Sequence, residues 1–268
     1  MRELKERRTA ANPVLLRERA GGVATLTLNR PEQFNALSEG LLTELETALA
    51  EIASDEAARV VVIAGSGKAF CAGHDLKEMR AHPDLAFQRA LFQQCSRMMM
   101  ALTELPKPVI ARVHGIATAA GCQLVAMCDL AVASEKARFA VSGINVGLFC
   151  STPSVALARN IGRKQAMEML LTGDFIDAQT ALARGLVNHV VPEDRLDAEV
   201  KKLSDAILAK SPVAVSSGKR LFYRQLELGL ADAYDVASEV IACDMMTEDA
   251  QEGIDAFIEK RPPQWRGR

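Results

Sequence analysis

The chain lacks an excess of charge of either sign: Lys plus Arg number 32 and Asp plus Glu 34, for a formal charge of −2. That balance offers no global field for nucleic acid or an anionic membrane. A membrane-spanning run is also missing. The longest charge-free stretch, Phe139 to Ala158, is broken by Asn145, Pro153, two glycines and four Ser or Thr residues. The six cysteines include no pair at CxxC spacing, which suits reduced thiols, and the four histidines are scattered at positions 74, 82, 114 and 189. No metal-ligand spacing is present. The N-terminus, MRELKERRTAANP, has no apolar stretch for a secretory signal, and Glu3 and Glu6 among its basic residues argue against a transit peptide. A cytoplasmic protein is the resulting expectation.

Nucleotide-loop motifs fail too. Gly65-Ser66-Gly67-Lys68 resembles a phosphate loop, but Val62 stands at its first glycine position and Ala69 where Ser or Thr is needed. Phe70 occupies the third glycine of a dinucleotide fingerprint, so this segment reads as a flexible turn. No G-x-S-x-G elbow supports a serine hydrolase.

What remains is a chain with 49% hydrophobic residues, too apolar for disorder and long enough to bury a sizeable core. Val14 to Arg19 and Val23 to Asn29 flank Ala-Gly-Gly and read as a hairpin. Ser38 suits an N-cap for a helix whose Leu41, Leu42, Leu45, Ala48, Leu49 and Ile52 follow the helical period. Val60 to Ala64, Val109 to Val113 and Leu130 to Ala133 suit buried strands; Leu85 to Leu105 and Ala119 to Cys128 suit helices. Thr152-Pro153 marks a helix start. Later, Asp177, Ser211 and Asp249 read as helix starts, and Gly173, Gly185 and Gly229 as stops. Leu186 to Val191 is the one late strand candidate, and no internal repeat is evident. The expected organisation is an α/β core over residues 1–195 and a helical region over 196–268.

Two small-residue loops each follow a strand pattern and lead into a helix: Lys68 to Lys77 and His114 to Gly121. A helix start presents unpaired N–H groups and a positive dipole end. Two such loops could each donate one N–H to a single oxygen, an oxyanion site built from main chain. Close packing of helix on sheet selects the same small residues, so both readings stay open.

These loops also carry a resemblance. Leu28-Asn29-Arg30-Pro31 with Asn35-Ala36-Leu37, Ala69 to Leu76, Pro108 to Ala111 with His114-Gly115, Ala119 to Cys122, Ala166 to Met169 with Leu171-Thr172-Gly173, and Glu252 to Arg261 occur in order. In these motifs the chain resembles the crotonase superfamily, the enoyl-CoA hydratase/isomerase family, over nearly its whole length. Through Gly121 to Ala126 and Asn145 to Pro153 it is most similar to a branch of enoyl-CoA hydratase domain-containing proteins. The resemblance implies an α/β spiral of ββα units with a helical C-terminal trimerisation region, assembled as a homotrimer or a dimer of trimers. It implies an acyl-CoA thioester as substrate, with no cofactor beyond it. The oxyanion donors fall on the N–H groups of His74 and Ala120. Ala72, His74, Asp75, Leu76 and Lys77 fall along the CoA moiety, and Phe257 and Lys260 on positions that reach the adenosine end, often from a neighbouring subunit.

The two catalytic glutamates of typical hydratases fall on Gln123 and Gly143. Neither can exchange a proton at neutral pH, and loss of one such group typically costs about 10²–10⁴ in rate. Ordinary hydration is therefore in doubt. Three readings follow: a hydratase/isomerase-like enzyme with modified proton transfer, a CoA-thioester decarboxylase, or a non-catalytic acyl-CoA-binding protein. Methylmalonyl-CoA decarboxylases of the superfamily share Ala-Gly-His-Asp, here Ala72 to Asp75, but place tyrosine where this chain has Cys150. The His74 side chain could donate, exchange a proton or orient, or only its N–H could matter. Cys150 would be a nucleophile if a helix start lowered its pKa, but no basic side chain is paired with it, which favours an inert thiol. Asp75 suits a helix cap. A distant carboxylate such as Glu78 or Asp84 could swing in from the loop region.

Overall fold

The computed structural model describes residues 12–268. The reading of the first eleven residues as neither signal nor transit peptide lies outside them. β1 (Leu15–Ala20) and β2 (Val23–Leu28) form the expected hairpin. In α1 (Glu39–Ser54) the Ser38 side chain accepts from Leu41 N–H, and the six apolar positions read from the period are the buried ones. Leu41, Leu42 and Leu45 are fully buried, each contributing about 1.5–3 kcal/mol relative to exposure.

A strand–strand–helix order then recurs. β3 (Val60–Gly65) and β4 (Ala69–Cys71) lead to α2 (Leu76–Ala81) and α3 (Leu85–Glu104). β5 (Val109–Val113) and β6 (Ile116–Thr118) lead to α4 (Ala120–Met127). β7 (Leu130–Ser134) and β8 (Arg138–Ala140) lead to α5 (Ser151–Asn160) and α6 (Arg163–Thr172). These are the ββα turns of a spiral. The sequence shows no repeat because the units share a strand order and not a residue pattern. β9 (Ile176–Asp177), α7 (Ala178–Ala183) and β10 (His189–Val191) close the sheets, and α8 (Leu196–Leu208), α9 (Pro212–Gln225), α10 (Leu230–Asp244) and α11 (Glu248–Glu259) complete the chain.

One strand of each unit joins a six-stranded sheet, order β1-β2-β3-β5-β7-β10, and the other a four-stranded sheet, order β4-β6-β8-β9. β3 is apolar throughout because both its faces are covered. Val61 and Ile63 join the main core with α1 and α3, while Val60 and Val62 face Leu196 and Val200 of α8. In the smaller sheet β4, β6 and β8 run parallel, so their C-terminal ends share one edge. The three turns leaving that edge meet there.

Four local expectations are corrected. α5 starts at Ser151 after Cys150, so Pro153 is its third residue; its missing N–H is still one of the first-turn donors without a helical partner. Gly229 precedes α10 with φ of −66° and begins that helix, since α9 has already ended at Gln225. Thr247 caps α11, while the Asp249 carboxylate turns inward to the N–H groups of Arg266 and Gly267. Leu186 and Val187 are core residues ahead of the strand, which spans only His189–Val191. No described helix is long and apolar enough to cross a membrane.

Candidate active site

The turn after β4 is held by residues far upstream. Asn35, fully buried with φ of 56°, accepts from Arg30 N–H and donates to the carbonyls of Ser66 and Ala69, which fixes the start of β4. Arg30 donates to the Ala36 carbonyl and pairs with Asp75 at 2.8 Å, with side chains 17% and 13% exposed. Asp75 also caps α2, accepting from Lys77 and Glu78 N–H, as expected. The Arg30 hydrogen bond and the cap hold its carboxyl below the usual range, against the opposing effect of burial. Leu37 N–H donates to Gly73 O, and Asp75 N–H to Leu37 O. Because successive peptide groups alternate in extended chain, the intervening His74 N–H points away from Leu37. Among the described residues it donates to no main-chain carbonyl.

The turn after β6 lies against this one. Gly73 has φ of 90°, and a Cβ there would sit 2.8 Å from Ala119 Cβ and 3.2 Å from Ala120 N. Only glycine lets the two turns approach so closely. Ala119 has φ of 51° and ψ of −121°, a backbone conformation that costs a non-glycine residue about 1–3 kcal/mol. Ala120 is the first residue of α4, so its N–H lacks a partner within the helix and carries the positive end of the helix dipole. The packing reading also holds here: a Cβ at Gly121 would lie 2.7 Å from the Cys71 carbonyl carbon.

The turn after β8 is a 3₁₀ segment, Ser142–Val146. Ser142 Oγ lies 2.8 Å from Thr118 Oγ1, and Gly143 N–H donates to Cys150 Sγ at 3.3 Å. A Cβ at Gly143 would meet the Leu148 carbonyl at 2.7 Å and that sulfur at 2.8 Å, so no longer side chain fits without a shift.

The three turns enclose a cavity of about 390 Å³. Ala72, His74, Leu76, Ala120, Gly143 and Cys150 of the expected site line it. Asp75 and Lys77 do not, and neither does Gln123, which is buried on α4 with Oε1 unpartnered. Phe257, 85% exposed on α11, lines a separate groove between the C-terminal helices, and Lys260 ends α11 with φ of 57°. Sequence reasoning missed Met79 of α2, Phe92 of α3, Ser142, and the apolar Val146, Leu148 and Phe149. Position beside Gly143 could have marked Ser142; nothing in the helical period of α3 singles out Phe92.

Among the described residues no carboxylate and no Lys or Arg lines the cavity. Glu78 accepts from Glu39 N–H and Asp84 caps α3, so both serve structure here. Burial drives the His74 imidazole down to about 4, leaving it neutral at pH 7. Burial raises the Cys150 thiol, opposed only by the Gly143 hydrogen bond, so the nucleophile reading finds no lowered pKa. The described residues hold no metal-binding group of His, Cys, Asp and Glu.

A mixed α/β spiral of ββα units defines a crotonase-fold protein, and the chain belongs to the enoyl-CoA hydratase/isomerase family, whose model matches residues 18–268. It is 46% identical to the enoyl-CoA hydratase domain-containing protein 3 of Xenopus laevis over 253 residues, covering 94% of this chain and 86% of that protein. Among solved structures, an enoyl-CoA hydratase of Mycobacterium smegmatis superposes with a TM-score of 0.94 at 60% identity, covering 95% of this chain and 99% of that one. Human enoyl-CoA hydratase domain-containing protein 3 superposes at 0.92 with 44% identity, covering 94% and 100%. The branch read from the sequence is therefore the one found. The cytoplasmic expectation is overturned: the vertebrate relatives of this branch are named mitochondrial. That expectation leaned on the first residues, where composition alone is weak evidence of compartment.

Proposed function

We propose that the protein binds an acyl-CoA thioester and stabilises an enolate-like thioester oxygen with the N–H groups of His74 and Ala120. The supporting observation is that two amide-bearing turns, locked together at Gly73 and Ala120, border one cavity with no carboxylate among the described residues of its lining. Each main-chain donor of this kind contributes about 2.7–4 kcal/mol where one has been removed from other enzymes. The enzyme is hydratase/isomerase-like in this reading, with the glutamate positions held by Gln123 and Gly143. It calls for no cofactor beyond the CoA of the substrate.

The carboxylate-free lining supports a second reading, in which carbon–carbon cleavage generates the enolate by loss of carbon dioxide and needs no carbon base. Against it stands the lack, among the described residues of the lining, of a Lys or Arg to receive a malonyl carboxylate. The third reading, acyl-CoA binding without turnover, keeps the same oxyanion contacts. Phe257 and Lys260 would reach the adenosine end across a subunit boundary, in a homotrimer or dimer of trimers built on the helical C-terminal region. Exposed Phe222, Leu226, Leu230, Tyr234, Met246 and Ile258, on α9 to α11 and the turns between them, support such an interface. Mass spectrometry of the purified protein with enoyl-, β-hydroxyacyl- and malonyl-type CoA thioesters separates the readings. Water addition supports the first, loss of carbon dioxide the second, and binding without turnover the third. No binding of any thioester overturns all three.

A further inference from the structure

The geometry points to the side chain of His74, and not a carboxylate, as the group that takes the α-proton of the bound thioester. The inference rests on the acyl-CoA reading above and names the residue that completes it.

His74 occupies an unusual place. Its main chain supplies one oxyanion donor, while its side chain lines the same cavity. The ring packs edge-on against Phe92, with centroids 5.0 Å apart, and Nε2 is buried without a hydrogen-bond partner among the described residues. Nδ1 makes no hydrogen bond among the described residues and is not one of the buried partnerless atoms, so it is the accessible nitrogen of a ring that lines the cavity. A cavity-lining ring nitrogen with no protein partner is free to meet a ligand atom. In the tautomer with the ring proton on Nε2, Nδ1 presents a lone pair. Burial has lowered the ring to about 4, the proton affinity of an ordinary glutamate near 4.3. The imidazole therefore offers the basicity of the carboxylates this cavity lacks.

In the step itself, the Nδ1 lone pair takes the α-proton. The C–H electron pair becomes the carbon–carbon double bond, and the thioester π pair moves onto oxygen between the N–H groups of His74 and Ala120. The imidazolium and enolate form together, so their charges offset within the cavity. Return of a proton from the imidazolium regenerates the thioester. In D₂O the imidazolium N–H exchanges with solvent before that return, so the cycle leaves deuterium on the α-carbon with no other reactant.

Substitution separates the two roles of His74, because any residue but proline keeps the main-chain N–H. Butyryl-CoA, a saturated thioester, is incubated with the protein in D₂O, and deuterium at its α-carbon is read by mass spectrometry. Wild type is expected to exchange above the protein-free background, and His74→Gln and His74→Phe to lose about 10²–10⁴-fold while still binding butyryl-CoA. Exchange at the wild-type rate in either variant overturns the proposal. So does wild-type binding without exchange, an outcome that leaves acyl-CoA binding intact. If wild type fails to bind butyryl-CoA, the reading beneath falls as well. A check independent of the variants is the ¹⁵N spectrum of wild-type histidine rings. The His74 ring signals are expected to move when butyryl-CoA is added, and unmoved signals contradict contact with the ligand.

Discussion

The sulfur of Cys150 accepts the N–H of Gly143 at 3.3 Å and occupies the space into which a side chain at position 143 would grow. The two residues answer each other. A glutamate cannot be restored at 143 by substitution alone, because the Leu148 carbonyl blocks it as well. Gly143→Ala should destabilise by about 1–3 kcal/mol through overpacking, read from urea midpoints. Adding Cys150→Gly should recover part of that loss and not all of it, since Leu148 remains. Full additivity of the two substitutions would contradict the contact.

Cys150 itself is expected to be dispensable for chemistry. Its thiol is raised by burial, so the thiolate is scarce at pH 7. Cys150→Ala should leave acyl-CoA turnover or binding within a few-fold of wild type. Loss of turnover with retained binding would return the nucleophile reading.

The buried His74 makes stability depend on pH in a definite window. Its pKa falls from 6.5 to about 4 on folding, so the unfolded chain takes up the proton first as pH drops. The contribution is complete above 6.5, declines between 6.5 and 4, and is level below, amounting to about 3 kcal/mol across the window. Urea unfolding at pH 7 and pH 5 should show this decline in wild type and a smaller one in His74→Phe. Equal slopes would show that His74 titrates normally.

Asp249 offers an optical test of the C-terminal turn. Its carboxylate accepts from Ser211 Oγ at 2.6 Å and from the N–H groups of Arg266 and Gly267, next to Trp265, the single tryptophan. Trp265 Nε1 donates to the Ala209 carbonyl at 2.8 Å. Asp249→Ala should expose the indole and shift its emission to the red. An unchanged spectrum would mean that the ring is held without this carboxylate.

Assembly gives a further expectation. Apolar side chains such as Leu230 and Met246 are about three-quarters exposed on the isolated chain, at 76% and 75%. Light scattering should give a mass near three or six times 29.0 kDa. A monomer would remove the neighbouring-subunit role of Phe257 and Lys260.

Much of this was legible in the residues. The helical period gave the buried face of α1 residue for residue, and short apolar β-branched runs gave β3 and β5, because burial dictates both patterns directly. The site loops were legible as small-residue turns ahead of helices. That two of them could meet on one oxygen was an open reading; the convergence of all three depends on the shared edge of β4, β6 and β8, a relation between strands distant in sequence. Ser142 and Phe92 escaped for the same reason. Asp249 looked like a cap because its type suits one, and only the path of the C-terminus shows that it holds Arg266 and Gly267 instead.

The most direct test of the central claim is the infrared spectrum of butyryl-CoA labelled with ¹³C at its carbonyl, free and bound. Two N–H donors at His74 and Ala120 should polarise the carbonyl and lower its stretching frequency on binding. A bound thioester whose carbonyl absorbs at the frequency found in water would contradict the oxyanion site.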